Sequence, residues 1–135
     1  MPMVPGPLAA VTYATIKVAG YAGFASVLNR MLGRNVGVWK FGFAKTGIGL
    51  VGGLAYFFAV MAISDDKSWS DAQVYAGALP IRLMAWSVAL GLFYGFRDRK
   101  GVVMLALVAG VFWSYLLDGV MALVYHVPGM AMAFC

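Results

Sequence analysis

The chain has 135 residues, 63% of them hydrophobic and only 11% charged, with 17 glycines and a mean hydropathy of +0.86. A soluble domain of this length is closer to half apolar and a quarter charged, and membrane helices accept glycine where soluble helices avoid it. There is no glutamate, so charged surface is not what would keep the chain in water.

The expected architecture is therefore an all-α integral membrane protein. At ~20 residues per crossing, four transmembrane helices with short loops fill one domain, 1–135, with both termini on the same, outer side. The net charge of +5 does not argue for nucleic acid. Four basic residues lie between Arg30 and Lys45 and three more between Arg97 and Lys100, at the ends of apolar runs. That is how topology signals and anchors for anionic lipid headgroups are distributed, not how a basic groove is built. The single cysteine, Cys135, excludes an internal disulfide and a multi-cysteine metal site. No cleavable signal peptide is expected, since no basic side chain precedes the first apolar run.

In chain order, Met1 to Pro7 carries three prolines and a glycine and reads as irregular, with Pro7 suited to a first helical position. The first helix is expected over about 8–32, ended by Gly33-Arg34-Asn35. Residues 36–43 read as an interfacial connector, because Trp39 and Lys40 are the pair expected at headgroup level. The second helix, about 44–63, contains Gly49 and Gly53 in a GxxxG spacing. Such a face lets backbones approach closely, either inside the chain or against a second copy or a larger membrane complex.

Ser64 to Gln73 is the aqueous segment. Its Ser70-Asp71-Ala72-Gln73 fits a capping box, which starts the third helix near Asp71 and runs it to Phe96 across Pro80. A basic turn, Arg97-Asp98-Arg99-Lys100, leads to the fourth helix, about 101–126, stopped by Pro128 and Gly129. Trp39 and Trp69 are expected at the interfaces, Trp86 and Trp113 in buried packing. Seven basic residues in two loops (30, 34, 40 and 45; 97, 99 and 100) against Lys67 in the other place the two basic loops in the cytoplasm.

Three charges stand deep in apolar runs: Lys17, Arg82 and Asp118. Counted from the outer helix ends at 1.5 Å per residue, all three fall ~12–17 Å deep, near the midplane of a ~30 Å hydrocarbon core. An isolated charge there costs several kcal/mol, so the three are expected to meet. Tyr13 and Tyr21 share the Lys17 face, and Ser114, Tyr115 and Tyr125 share that of Asp118. One carboxylate cannot neutralise two cations. The surplus either receives an anionic headgroup or small anionic solute, with arginine's planar fork and the tyrosine hydroxyls as donors, or is tolerated in a structural ion pair.

The expected function is thus binding, and in its fuller form transport, of an anionic lipid or solute. The rival is a non-catalytic accessory subunit whose charges clasp helices. No Walker loop, serine elbow, His-Glu-x-x-His or cysteine pair occurs, so no catalytic residue, metal or cofactor is expected.

Overall fold

A computed structural model describes residues 7–63, 71–96 and 100–125. Those residues form five helices and no strand: α1 Pro7–Leu32, α2 Val38–Ile63, α3 Asp71–Gly77, α4 Leu79–Phe93 and α5 Lys100–Tyr125. The N-terminal segment expected to be irregular, the acidic segment with Trp69, the expected turn at Arg97–Arg99, His126 and the tail to Cys135 lie outside the described residues. Three stretches are long and apolar enough to cross a membrane: Val38–Ile63, Tyr75–Phe93 and Lys100–Met121.

The helix α1 equals α2 in length, at 26 residues, but dilutes its apolar run with Thr12, Tyr13, Thr15, Lys17, Ser26 and Asn29, and it is not among the three. Two of these polar groups are internally satisfied. The hydroxyls of Thr12 and Thr15 donate to the carbonyls of Leu8 and Val11 at 2.9 and 2.8 Å, each one turn back along the same helix.

Helix bounds fall within a residue of the expected ones except in two places: the connector before the second helix, and the third helix, which is divided and ends at Phe93 rather than Phe96. The first is the connector at 36–43. It is helical from Val38, so α2 starts six residues earlier than Ala44. The Gly33 residue adopts φ 62°, and the Arg34 N–H reaches back to the Asn29 carbonyl at 3.0 Å. This closes α1 with a Schellman-type turn. The turn is short enough for α2 to begin almost at once, with the Phe41 N–H bonding the Gly37 carbonyl at 3.0 Å.

The second correction is a break in the third helix. Its chain stops at Gly77 and resumes at Leu79, with Ala78 as the cap residue and Pro80 in the first turn of α4. Proline has no N–H to give and its ring crowds the carbonyl four residues back, so the helix divides just before it. The direction is kept, because Ala78 stays near helical dihedrals.

The helices α1 and α2 lie closest together, and the contact has a specific cause. A Cβ on Gly42 would stand 2.6 Å from the Val18 carbonyl oxygen, so only glycine lets the two backbones meet there. Gly49 and Gly53 are buried on the same side of α2. Gly42 shares that side of the helix. Around it the core collects Tyr21, Ala25, Leu28, Phe41, Trp86, Ala89, Leu90, Tyr94, Val103 and Ala106. Phe24 and Phe41 pack on Trp86 with ring centroids 4.9 and 6.1 Å away. Outward faces are apolar too: Val51, Phe58, Met61, Leu105, Val108 and Phe112 are all exposed, as expected of helices solvated by lipid.

Candidate functional site

The charged residues of three helices converge. On α1, Lys17 stands one turn after Tyr13 and one turn before Tyr21, so all three side chains leave the same face. On α4, Arg82 lies in the first turn after the break, its N–H bonded to the Ala78 carbonyl at 3.0 Å. On α5, Ser114 and Asp118 are spaced by one turn. All of these side chains are buried.

Asp118 is the centre. Its Oδ1 accepts from the Tyr13 hydroxyl at 2.5 Å and from Lys17 Nζ at 2.6 Å, while its Oδ2 accepts from Arg82 Nη2 at 2.6 Å. Both carboxylate oxygens therefore meet a cation, and three helices are joined at one residue. Removing such ions from water costs several kcal/mol each, which close pairing with added hydrogen bonds offsets. Asp118 and Lys17 have that pairing, and Arg82 has it through Nη2, whereas Arg82 Nε and Nη1 are buried without a hydrogen-bond acceptor among the described residues.

A second layer of polar groups extends from this junction. Lys17 Nζ lies 3.4 Å from the Tyr21 hydroxyl, which is 3.1 Å from Ser114 Oγ, and Ser114 Oγ accepts the Trp86 indole N–H at 2.9 Å. On the other side, the Arg82 guanidinium sits 4.2 Å from the centre of the Tyr115 ring. The Tyr115 hydroxyl donates to the Tyr75 carbonyl at 2.9 Å. That carbonyl belongs to the last turn of α3, where helical acceptors lose their partners. The helix break and the charged junction are thus connected through one tyrosine.

Seven of the eight residues singled out from the sequence meet here: Lys17, Arg82, Asp118, Tyr13, Tyr21, Ser114 and Tyr115. The eighth, Tyr125, ends α5 and its side chain lies outside the described residues.

Two participants were assigned elsewhere. Lys45 was counted with the cytoplasmic basic loop, but it is buried. Its ammonium lies 4.9 Å from the Tyr21 ring centre and 5.0 Å from that of Trp86. The early start of α2 accounts for this, since it puts Lys45 two turns inside the helix. The signal was present in the spacing of Gly42, Lys45 and Gly49, which places the lysine on the face that packs against α1. Trp86 is buried as expected but also donates to the polar layer. Trp113, expected to be buried, is 36% exposed. It lies against α1 with its indole N–H on the Gly20 carbonyl at 3.0 Å, so one edge packs while the other faces outward.

Among the described residues no group of three or more His, Cys, Asp or Glu side chains could hold a metal ion. Compared with protein families, with curated proteins and with solved structures, the chain matches none.

Proposed function

We propose that this is a small polytopic membrane protein that binds an anionic lipid headgroup or small anionic solute at the Lys17–Arg82–Asp118 junction, with transport of that anion as the activity the site would serve. One observation carries the reading. Among the described residues the buried ionisable charges are Lys17, Lys45 and Arg82 against Asp118 alone. Three cations and one carboxylate leave a formal surplus of two positive charges in apolar surroundings. A buried surplus of that size is expensive unless an anion enters, and the arginine in it stays charged. Intramembrane ionisable groups are functional candidates for this reason.

In this reading α1 is the fourth crossing. The end bearing Arg30, Arg34, Lys40 and Lys100 faces the cytoplasm, both termini face outward, and the location is a bacterial inner membrane. An externally added thiol reagent should then label Cys135 and a cysteine at Ser68→Cys, but not one at Asp98→Cys. Labelling at position 98 would invert the topology.

A second reading has its own support. Both oxygens of Asp118 are engaged by cations at 2.6 Å, which is what a structural clasp requires in an accessory subunit of a larger membrane complex. Melting curves with and without added anionic lipid separate the two. Under the binding reading, anionic lipid stabilises the parent and rescues Asp118→Asn, while Arg82→Gln loses that lipid-dependent gain. If Arg82→Gln keeps the parent's gain, the clasp reading replaces the binding one.

A further inference from the structure

The basic end of the bundle holds a feature that the buried junction does not use. An open cleft of about 600 Å³ lies between the last turns of α1 and the first turn of α2, and Ser26, Asn29, Arg30, Trp39 and Lys40 are among its lining. That lining includes two cations and no carboxylate. Neither Arg30 nor Lys40 forms an ion pair among the described residues.

The cleft is held in shape from beneath. The Asn29 side-chain amide donates to the Val36 carbonyl at 2.8 Å, and its oxygen accepts the Val36 N–H at 3.3 Å. Tyr94, just past α4, donates to that same oxygen at 3.0 Å and lies 3.2 Å from the Ala25 carbonyl. Three helix ends are thereby fixed around one asparagine, so a molecule entering the cleft would not have to order it.

The surroundings are those of an amphiphile rather than a free ion. Trp39 is 60% exposed at the rim, the depth at which tryptophan sits between headgroups and acyl chains. One turn along each helix toward the middle of the bundle, Val27 before Arg30 and Phe43 after Trp39 and Lys40 are exposed apolar residues. Cations above, an indole at the boundary and hydrocarbon below follow the order of groups along a phospholipid.

We propose that the α1–α2 cleft is a binding site for an anionic phospholipid, whose phosphate is held by Arg30 and Lys40 and whose acyl chains run along Val27 and Phe43. The site is independent of the Lys17–Arg82–Asp118 reading and stands or falls apart from it.

The test uses the full chain in lipid nanodiscs of phosphatidylcholine with a minor fraction of phosphatidylglycerol of the same acyl chains. Native mass spectrometry then reads which lipid stays bound after release. The parent is expected to retain phosphatidylglycerol in preference to phosphatidylcholine. Arg30→Gln with Lys40→Gln should weaken that retention by roughly tenfold, the scale expected on losing charge-assisted contacts to a phosphate, with the melting temperature in phosphatidylcholine unchanged. Lys100→Gln, an exposed cation outside the cleft lining, should retain phosphatidylglycerol like the parent. Equal retention of the two lipids by the parent, or parent-level retention by the double variant, would overturn the proposal. So would displacement of phosphatidylglycerol by inorganic phosphate, which would make the occupant a free anion. Loss of retention in Arg82→Gln alone would assign the lipid to the buried junction instead.

Discussion

The same residue types stand in two parts of this molecule under opposite physical terms. At the junction of α1, α4 and α5, Lys17 and Arg82 are sealed from solvent and bound to Asp118. At the α1–α2 turn, Arg30 and Lys40 are exposed and line an open cleft. The buried cations are part of what decides whether the bundle holds together, since each depends on its counter-charge. The outer cations contribute little to stability because water already solvates them, and that leaves them available to a passing phosphate. Position along the helix, not side-chain chemistry, sets the role.

The sharpest way to break that contrast is at its centre. In zwitterionic detergent without added anionic lipid, Asp118→Asn leaves two buried cations facing a neutral amide. The expected loss is ~3–5 kcal/mol, read as a collapse of the thermal transition. The triple replacement Lys17→Met, Arg82→Met and Asp118→Leu should recover most of it, since apolar side chains of similar volume need no partner. A triple variant as unstable as the single one would show that packing, not charge, holds the junction.

A smaller effect is expected one layer out. Ser114→Ala removes the oxygen that accepts the Trp86 indole N–H and lies within hydrogen-bonding distance of the Tyr21 hydroxyl. The cost of leaving a buried donor unsatisfied is ~1–3 kcal/mol, visible in the same melt. Ser114→Thr, which restores an oxygen, should cost less. If the alanine and threonine variants melt alike, the hydrogen bonds are not what the position supplies.

Lys45→Met sharpens the comparison from the other direction. It forfeits cation–π contacts with Tyr21 and Trp86, each worth ~0.5–2 kcal/mol, but removes a buried charge, and the two changes oppose one another. The net shift should stay within ~1–2 kcal/mol, well short of Asp118→Asn. A loss as large as that of Asp118→Asn would mean that Lys45 is as dependent on a counter-charge as Lys17 and Arg82 are. At the foot of the scale, Arg30→Gln or Lys40→Gln alone should change stability by less than ~0.5 kcal/mol. A larger loss from either would erase the distinction between the two regions.

Much of the buried junction was legible in the sequence because hydrocarbon makes ionisable residues conspicuous. Three charges in apolar runs, counted to a common depth, led to Lys17, Arg82 and Asp118. Helical spacing then added Tyr13, Tyr21, Ser114 and Tyr115. Lys45 was not legible in the same way. Trp39 and Lys40 carry the marks of an interface, and they do mark the rim of a cleft, but the helix runs through them. A headgroup-level residue pair says where the bilayer surface lies and nothing about whether the backbone is coiled there. The Ala78 break was likewise half visible. Proline announces that a hydrogen bond is missing, whereas whether the helix bends, continues or divides depends on packing that no local pattern records. The α1–α2 cleft depends on the Asn29 clasp, a contact between a helix side chain and a loop backbone that leaves no periodic trace.

Asp118 also sets an order of events. It lies 105 residues from Tyr13 and 36 from Arg82 along the chain, on the last of the five helices. During synthesis α1 and α4 are complete before it exists. Lys17 and Arg82 must therefore wait, one at a helix face and one beside a proline break, until α5 arrives with the carboxylate that meets them. Until then the early helices resemble an arch without its keystone, each able to form but not yet committed to its neighbours. A chain stopped before Gly101 would present two uncompensated cations to lipid, each disfavoured by ~2.5–3.5 kcal/mol on insertion scales. Such a fragment would be marked as unfinished by its own electrostatics, and the mark is removed when α5 brings in Asp118.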